Sequence, residues 1–119
     1  MSYKSAIEAA GAKVLEFSTF GSWQGEWVAL VEYKGEAGWV LGAFGSCSHC
    51  DAFDAEFGYE YHDDENYEKR LADFGETYLH HLMSTEPTAK HFDCSAEWDQ
   101  ESEDAAKWIR VTGASYQVQ

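Results

Sequence analysis

Three runs of aromatic and β-branched residues, joined by short glycine-containing segments, constrain the fold of this chain most strongly. The clearest run is Glu26–Tyr33, and the flanking runs are Ala12–Phe20 and Trp39–Phe44. Alternation within the clearest run places one set of side chains on one face and a second set on the other: Trp27, Ala29, Val31 and Tyr33 against Val28 and Leu30. The connections Gly21–Gly25 and Lys34–Gly38 are short, which predicts a three-stranded antiparallel meander. We expect Trp27 and Trp39 to pack together across neighbouring strands.

Helical spacing predicts the remaining elements. A short N-terminal helix runs from Ser2 to Ala10 and ends at Gly11, and a second short helix follows residues 46–51 and reaches Phe57. A long amphipathic helix is expected from Asp64 to about Thr85, before Pro87. A last helix covers 95–111, and the tail 112–119 frays or adds an edge strand. The prediction is one compact α+β domain over residues 1–119, with two to three C-terminal helices packed on one face of the sheet.

The charge is strongly negative and unevenly distributed. The chain has 119 residues, with 22 Asp and Glu against 8 Lys and Arg, and a formal net charge of −14. Residues 51–119 hold seventeen acidic and five basic side chains, a net charge of −12. Such a chain repels phosphate, which excludes direct nucleic-acid binding and anionic lipid surfaces. The negative electrostatic field of residues 51–119 favours a basic partner. The alternative is that the acids only keep an aromatic-rich domain in solution.

No apolar run approaches the length of a membrane span, and the first residues lack the basic and apolar regions of a secretory signal. We therefore expect a cytoplasmic protein.

Three cysteines and one histidine have the spacing of a structural zinc site. Cys47 and Cys50 form a C-x-x-C pair, and His91 and Cys94 form an H-x-x-C pair, with both pairs in predicted loops. Three thiolates and one imidazole suit tetrahedral zinc. The preferred interpretation is nevertheless that the paired cysteines are small buried turn residues and Cys94 is an isolated buried thiol, with no cofactor bound, and a zinc site is the alternative. The strand order around the C-x-x-C pair argues against a thioredoxin-like redox domain.

Acidic side chains are concentrated after the third strand. Paired carboxylates can serve in acid–base catalysis or bind a divalent metal, but they are more often a solvated surface. The sequence contains no phosphate-binding loop, nucleophile elbow, zinc-protease motif or dinucleotide fingerprint, so a catalytic function has no support. We take these acids as candidate partner-binding residues: Asp51, Asp54, Glu56, Glu60, Asp63, Asp64, Glu65 and Glu68.

Two further features extend this candidate surface. Residues 97–104 form a second acidic patch. Trp23 lies in the turn between the first two strands, where an exposed indole can anchor a partner or fold back over the sheet edge.

Short segments of the chain resemble one group of proteins. The segment Gly45-Ser-Cys-Ser-His-Cys-Asp51 is the most distinctive, and Gly21-Ser-Trp-Gln-Gly25-Glu-Trp, Gly38-Trp-Val, Leu71-Ala-Asp-Phe-Gly-Glu and Glu97-Trp-Asp accompany it. Together they resemble small acidic phage and prophage proteins that carry a GSCSGCD-type segment. The resemblance implies a phage accessory role, for which the location would be the cytoplasm of the host cell, and it assigns no activity or catalytic residue. His49 stands where that group usually has glycine, and the His91-x-x-Cys94 pair is not a feature of the group.

The leading hypothesis is a non-enzymatic protein-binding module or inhibitor that occupies a basic surface, such as that of a host nucleic-acid-binding protein, with carboxylates in place of phosphates. The second is a structural or adaptor module stabilised by zinc on Cys47, Cys50, His91 and Cys94. A third, an enzyme that uses the acidic cluster with a divalent metal, requires acids that converge in a pocket.

Overall fold

A computed structural model describes residues 3–21, 24–45, 51–57, 66–93 and 99–119. These residues form an α+β fold in which a three-stranded antiparallel sheet follows an N-terminal helix and precedes several further helices. The strands are β1 (Lys13–Gly21), β2 (Gly25–Tyr33) and β3 (Glu36–Phe44). The helices are α1 (Tyr3–Ala9), α2 (Ala52–Phe57), α3 (Tyr67–Glu76), α4 (Thr85–Asp93) and α5 (Gln100–Ser115). The predicted meander and fold class are confirmed.

The sheet has the order β1-β2-β3, so that β2 is the central strand. The hairpin between β2 and β3 is tighter than expected, because Tyr33 pairs directly with Glu36 and the turn contains only Lys34 and Gly35. Both turn residues have positive φ, 51° and 82°, which is the backbone of a type I′ turn. This turn follows the twist of the strands, and β3 therefore begins at Glu36 rather than at Trp39.

Helices cover both faces of the sheet, which corrects the expectation of a single covered face. On β2, Trp27, Ala29 and Val31 enter one apolar cluster with residues of α1, α2 and α3. Val28 and Leu30 enter a second cluster with residues of α4 and α5. The physical reason is that the centre of β2 is apolar at consecutive positions, a pattern typical of strands buried on both sides.

The two central tryptophans lie on opposite faces, so the expected packing of Trp27 against Trp39 is wrong. The register pairs Trp39 with Leu30 and pairs Trp27 with Gly42. The Trp27 indole lies between Tyr3 and Phe17, at centroid distances of 5.3 and 5.8 Å. A Cβ on Gly42 would meet Trp27 Nε1 at 2.7 Å, so glycine leaves room for the indole.

The expected long helix to Thr85 is interrupted, and this is the main correction to the helix predictions. Helix α3 ends at Glu76, and Met83 instead pairs with the edge of β3. The Trp39 amide donates to the Met83 carbonyl at 2.8 Å, and the Met83 amide donates to the Trp39 carbonyl at 2.9 Å. These two hydrogen bonds cover part of an open strand edge, a tertiary gain that helical periodicity does not signal.

Helix α4 then begins at Thr85 and contains His91, which was expected in a loop. Pro87 is tolerated in its first turn because the amides there have no acceptor within the helix. Helix α5 begins after Asp99, whose side chain accepts a hydrogen bond from the Glu101 amide, and it extends four residues past the expected end at Val111.

The tail closes this layer instead of adding a strand. The Val118 amide donates to the Gly113 carbonyl and the Gln117 amide to the Ala114 carbonyl, as in a Schellman motif. The Thr85 hydroxyl donates to the Val118 carbonyl at 2.6 Å and accepts from Trp39 Nε1 at 3.0 Å. These contacts hold the end of α5 against the start of α4.

Candidate functional site

Asp51 is buried and caps helix α2. Its side chain is 5% exposed, although the sequence analysis placed it on a partner-binding surface. The Oδ1 atom accepts hydrogen bonds from the Tyr3 hydroxyl at 2.6 Å and from the amides of Phe53 and Asp54 at 3.0 and 3.1 Å. The Oδ2 atom accepts from the Gly45 amide at 2.9 Å. Asp51 therefore joins α1, the end of β3 and α2, and it contributes no exposed carboxylate.

The electrostatics of this cluster agree with a structural role. Burial by itself raises the pKa of Asp51, but the Tyr3 hydroxyl and the three amides together lower that pKa below its ordinary value. Burial and the hydrogen bond to Asp51 raise the pKa of Tyr3 well above its ordinary value. Sequence reasoning missed the Tyr3 hydroxyl, because its partner lies 48 residues away and no local pattern signals the pair.

The other described acids of the first patch are exposed. Asp54 and Glu56 lie on α2, and Glu68 lies in the first turn of α3. Arg70 approaches Glu56, with 3.5 Å between Nη2 and Oε1. The remaining residues predicted for partner binding lie outside the described residues: Trp23, Glu60, Asp63, Asp64 and Glu65.

The second acidic patch is described from Asp99 onward and forms the start of α5. Asp99 is the N-cap, and Glu101, Glu103 and Asp104 are exposed in the first turns. Asp104 Oδ1 accepts a hydrogen bond from the side-chain nitrogen Nε2 of Gln100 at 2.9 Å. Among the described residues, no lysine or arginine forms an ion pair with these four carboxylates. Their negative charge is favoured by the helix dipole, and it remains available to a partner.

The arginine of α5 is occupied by acids outside the patch. Arg110 of α5 donates to Glu86 at 2.7 Å and to Asp93 at 2.8 Å. Its guanidinium group lowers the pKa of Asp93 through that hydrogen bond. On the opposite layer, Lys69 pairs with Asp73 at 3.0 Å. Arg110 therefore does not neutralise the patch at residues 99–104. Lys107 lies one turn from Glu103 on the same helix but forms no ion pair among the described residues.

The two acidic patches lie on opposite sides of the sheet. Helices α2 and α3 pack in the cluster on one face, whereas α5 packs in the cluster on the other. One flat partner surface therefore contacts the described part of one patch and not of both.

The predicted zinc ligands are described at one position only. Cys47, Cys50 and Cys94 lie outside the described residues, and His91 lies near the end of α4. His91 Nε2 is 2.6 Å from Glu26 Oε2, which links α4 to β2 and was not predicted. Within the described ranges, no group of three His, Cys, Asp or Glu side chains converges as a metal site. Zinc binding stays a prediction.

The described surface has several shallow grooves. A groove of about 500 Å³ lies between the β2–β3 hairpin, residues 82–84 and the tail. Its lining contains one acidic side chain, Glu36, and no histidine or cysteine. A smaller groove of about 110 Å³ lies beside Phe20 and is lined by the acids Glu26, Asp99 and Glu101. In the smaller groove the Ser102 hydroxyl donates to Asp99 Oδ2 at 3.0 Å, a contact within the first turn of α5. A third groove, of about 240 Å³, is lined by polar side chains that include Glu36, Glu76 and His80.

Comparison of the chain with protein-family models, curated proteins and solved structures finds no match. No helix among the described residues is long and apolar enough to cross a membrane. The fold and its surfaces thus define an acidic α+β domain with one exposed carboxylate patch on each covered side of its sheet.

Proposed function

We propose that this chain is a non-enzymatic protein-binding module that engages a basic partner surface. The observation that carries the proposal is the set of exposed carboxylates at the start of α5, which have no ion pair among the described residues. In a chain of net charge −14, such a patch attracts basic protein surfaces and repels phosphate and anionic lipid.

The spacing of the charges supports imitation of nucleic acid. Asp99, Glu101, Glu103 and Asp104 occupy five residue steps, or ~7.5 Å of helix axis. The four charges are therefore about 2.5 Å apart on average along the axis, compared with ~1.7 Å per charge along duplex DNA. A basic groove that neutralises phosphates at that spacing can accept this helix end. The resemblance of short segments to small acidic phage proteins is consistent with an accessory protein that occupies a host nucleic-acid-binding site.

The position of the patch also suits recognition. The helix that carries it is held by Ala105, Ala106 and Ile109 in the core. Because the backbone of this segment is already ordered, binding does not have to order it, so that more of the electrostatic attraction appears as affinity.

The test is capture of partners from a bacterial lysate on the immobilised chain, with elution by duplex DNA. We expect duplex DNA to release captured basic proteins, because chain and DNA compete for one surface. The variant Glu101→Lys/Glu103→Lys should lose this capture. The matched control is Glu8→Lys/Glu32→Lys, which changes the net charge equally at exposed positions on α1 and β2.

An equal loss of capture in both variants would mean that only the net charge of the chain matters. Unchanged capture by the Glu101→Lys/Glu103→Lys variant would refute a role of the α5 patch in binding. A parallel variant, Asp54→Lys/Glu68→Lys, asks whether the patch on the opposite layer is the one in use. Thermal unfolding of each variant shows whether a loss of capture reflects a loss of structure.

A further inference from the structure

The outer edge of β1 has a row of backbone groups directed away from the sheet. Trp39 exchanges both of its backbone hydrogen bonds with Met83, so its β2 partner Leu30 directs its own backbone groups toward β1. Leu30 lies opposite Glu16 in the register. Because the pattern alternates along an antiparallel pair, Phe17 and Thr19 direct their amide and carbonyl groups outward.

The two edges of the sheet therefore differ. The edge of β3 is covered at Trp39 by residue 83. Along β1, the register skips Leu15, which marks a bulge between Val14 and Glu16. Of the residues that the structure describes, only Tyr116 reaches an outward group here, with its hydroxyl 3.5 Å from the Leu15 carbonyl. Thr19 is exposed, so an approaching chain can reach the centre of this edge.

Carboxylates lie near both ends of this edge. At one end, Glu16 Oε1 lies 3.4 Å from the same Tyr116 hydroxyl, which places that carboxylate beside the outward Leu15 carbonyl. At the other end, Phe20 of β1 shares a small groove with the carboxylates of Asp99 and Glu101 at the start of α5. The third acid of that groove, Glu26, lies on β2 and already contacts His91. The four residue steps from Glu16 to Phe20 span ~13 Å of extended strand. On a paired strand, the same distance separates side chains i and i+4, which lie on one face.

We propose that the basic partner adds an extended strand to the outer edge of β1 and that this strand carries lysine or arginine at positions i and i+4. The backbone bonds to Phe17 and Thr19 provide affinity, and the two carboxylate ends select the charge pattern. This inference rests on the proposed function and specifies its partner. The same groove contains Asp99 and Glu101, so the edge is continuous with the acidic start of α5.

Charge argues for such a partner and against a second copy of the chain. Pairing of β1 with β1 of another molecule would bring together two chains that each carry a net charge of −14. A basic strand meets the opposite sign at both ends of the edge. The bulge and Glu16 also act against pairing between identical edges.

The test uses the full chain and the peptide acetyl-Val-Lys-Val-Thr-Val-Lys-Val-amide, whose lysines are four residues apart. Two control peptides accompany it: one with both lysines replaced by glutamate, and one with the lysines kept but the central Val-Thr-Val amides methylated. Methylation removes backbone donors on both edges of the peptide without changing its charge. Binding is measured by titration calorimetry, and amide hydrogen exchange locates the bound strand.

We expect the lysine peptide to slow exchange of the Phe17 and Thr19 amides at least tenfold. The methylated peptide should bind roughly tenfold more weakly, as expected for the loss of about two hydrogen bonds. On the protein, Thr19→Pro removes one outward amide without breaking a bond to β2, and it should weaken binding about fivefold. Thr19→Val is the matched control and should bind as the unaltered chain does.

Equal binding of the lysine and methylated peptides would overturn the added strand. The proposed function would survive that result if the Glu101→Lys/Glu103→Lys variant still lost lysate capture. Absence of lysine-peptide binding would also overturn it, and the lysate experiment would again judge the proposed function separately. A third outcome would also overturn the proposal. If sedimentation shows dimers, and the Phe17 and Thr19 amides are already protected from exchange before peptide is added, the edge of β1 pairs with a second copy of the chain. If Thr19→Pro does not fold, the methylated peptide alone decides.

Discussion

Removal of the buried carboxylate at Asp51 should destabilise the fold far more than removal of its exposed neighbour. Asp51→Ala abolishes the cap of α2, which costs about 1 kcal/mol. It also deprives the Tyr3 hydroxyl and the Gly45 amide of their acceptor. A buried group left without a partner costs ~1–3 kcal/mol. Allowing for partial relaxation, we expect a total loss of ~2–4 kcal/mol in the free energy of unfolding.

Urea unfolding at neutral pH measures this loss, with Asp54→Ala as the matched control on the same helix. Asp54 is exposed, so its removal should change the unfolding free energy by less than about 0.5 kcal/mol. A double-mutant cycle with Tyr3→Phe should give a coupling of ~1–2 kcal/mol, because the two side chains share one hydrogen bond. Equal stabilities of the two aspartate variants would refute the reasoning.

The pH dependence has a defined sign. The pKa of Asp51 is lower in the folded chain than its ordinary value, so the charged carboxylate stabilises the fold above the pKa of the unfolded chain, ~3.9. That contribution is lost as the pH falls from there through the lowered pKa. The stability difference between Asp51→Ala and the unaltered chain should therefore be largest above about pH 5 and should shrink in more acidic solution.

Three further predictions concern the packing, the hairpin and the cysteines. Gly75→Ala should cost at least ~2 kcal/mol in urea unfolding, because the added methyl group would overlap the Ala6 backbone carbonyl, and a similar stability would mean that α1 and α3 separate easily. Lys34→Asn should raise the unfolding free energy by ~0.5 kcal/mol, since asparagine tolerates the positive φ of this turn; a loss of stability would contradict the type I′ assignment. Native mass spectrometry of chain purified without chelator should show a bare mass with three free thiols, and one zinc that denaturation releases would instead support the alternative ligand set Cys47, Cys50, His91 and Cys94.

The acidic patch at residues 99–104 and the edge of β1 differ in how each would contribute to partner binding. In the proposed binding mode, the carboxylates at 99–104 attract a basic partner over about a Debye length, whereas the edge of β1 acts only on contact and requires an extended strand. Salt should therefore weaken capture through the patch more than it weakens the backbone pairing. The two contributions can be separated by repeating the peptide titration at increasing ionic strength.

Sequence alone predicted the elements that depend on local pattern. Alternation in Glu26–Tyr33 identified the central strand and both sets of its side chains, and the glycine-containing turns gave the meander. The start of α2 and the core of α5 followed from helical spacing. The excess of acids was equally evident from the sequence, as was their concentration after residue 50. These features involve neighbours within a few residues, so the sequence contains the whole of the information.

Only the tertiary structure decided which of the acids are exposed and where the long helix stops. Asp51 and Glu101 both lie at the start of a predicted helix in the acidic half of the chain. Asp51 is buried and Glu101 is exposed, because Asp51 has a hydrogen-bond partner, Tyr3, that lies 48 residues away. The helix after Tyr67 ends early because Met83 gains two backbone bonds from Trp39. The second covered face of the sheet arises in the same way, from α4 and α5 folding back onto Val28 and Leu30. Such contacts join distant segments, and their free energy outweighs local preference only once the chain is folded.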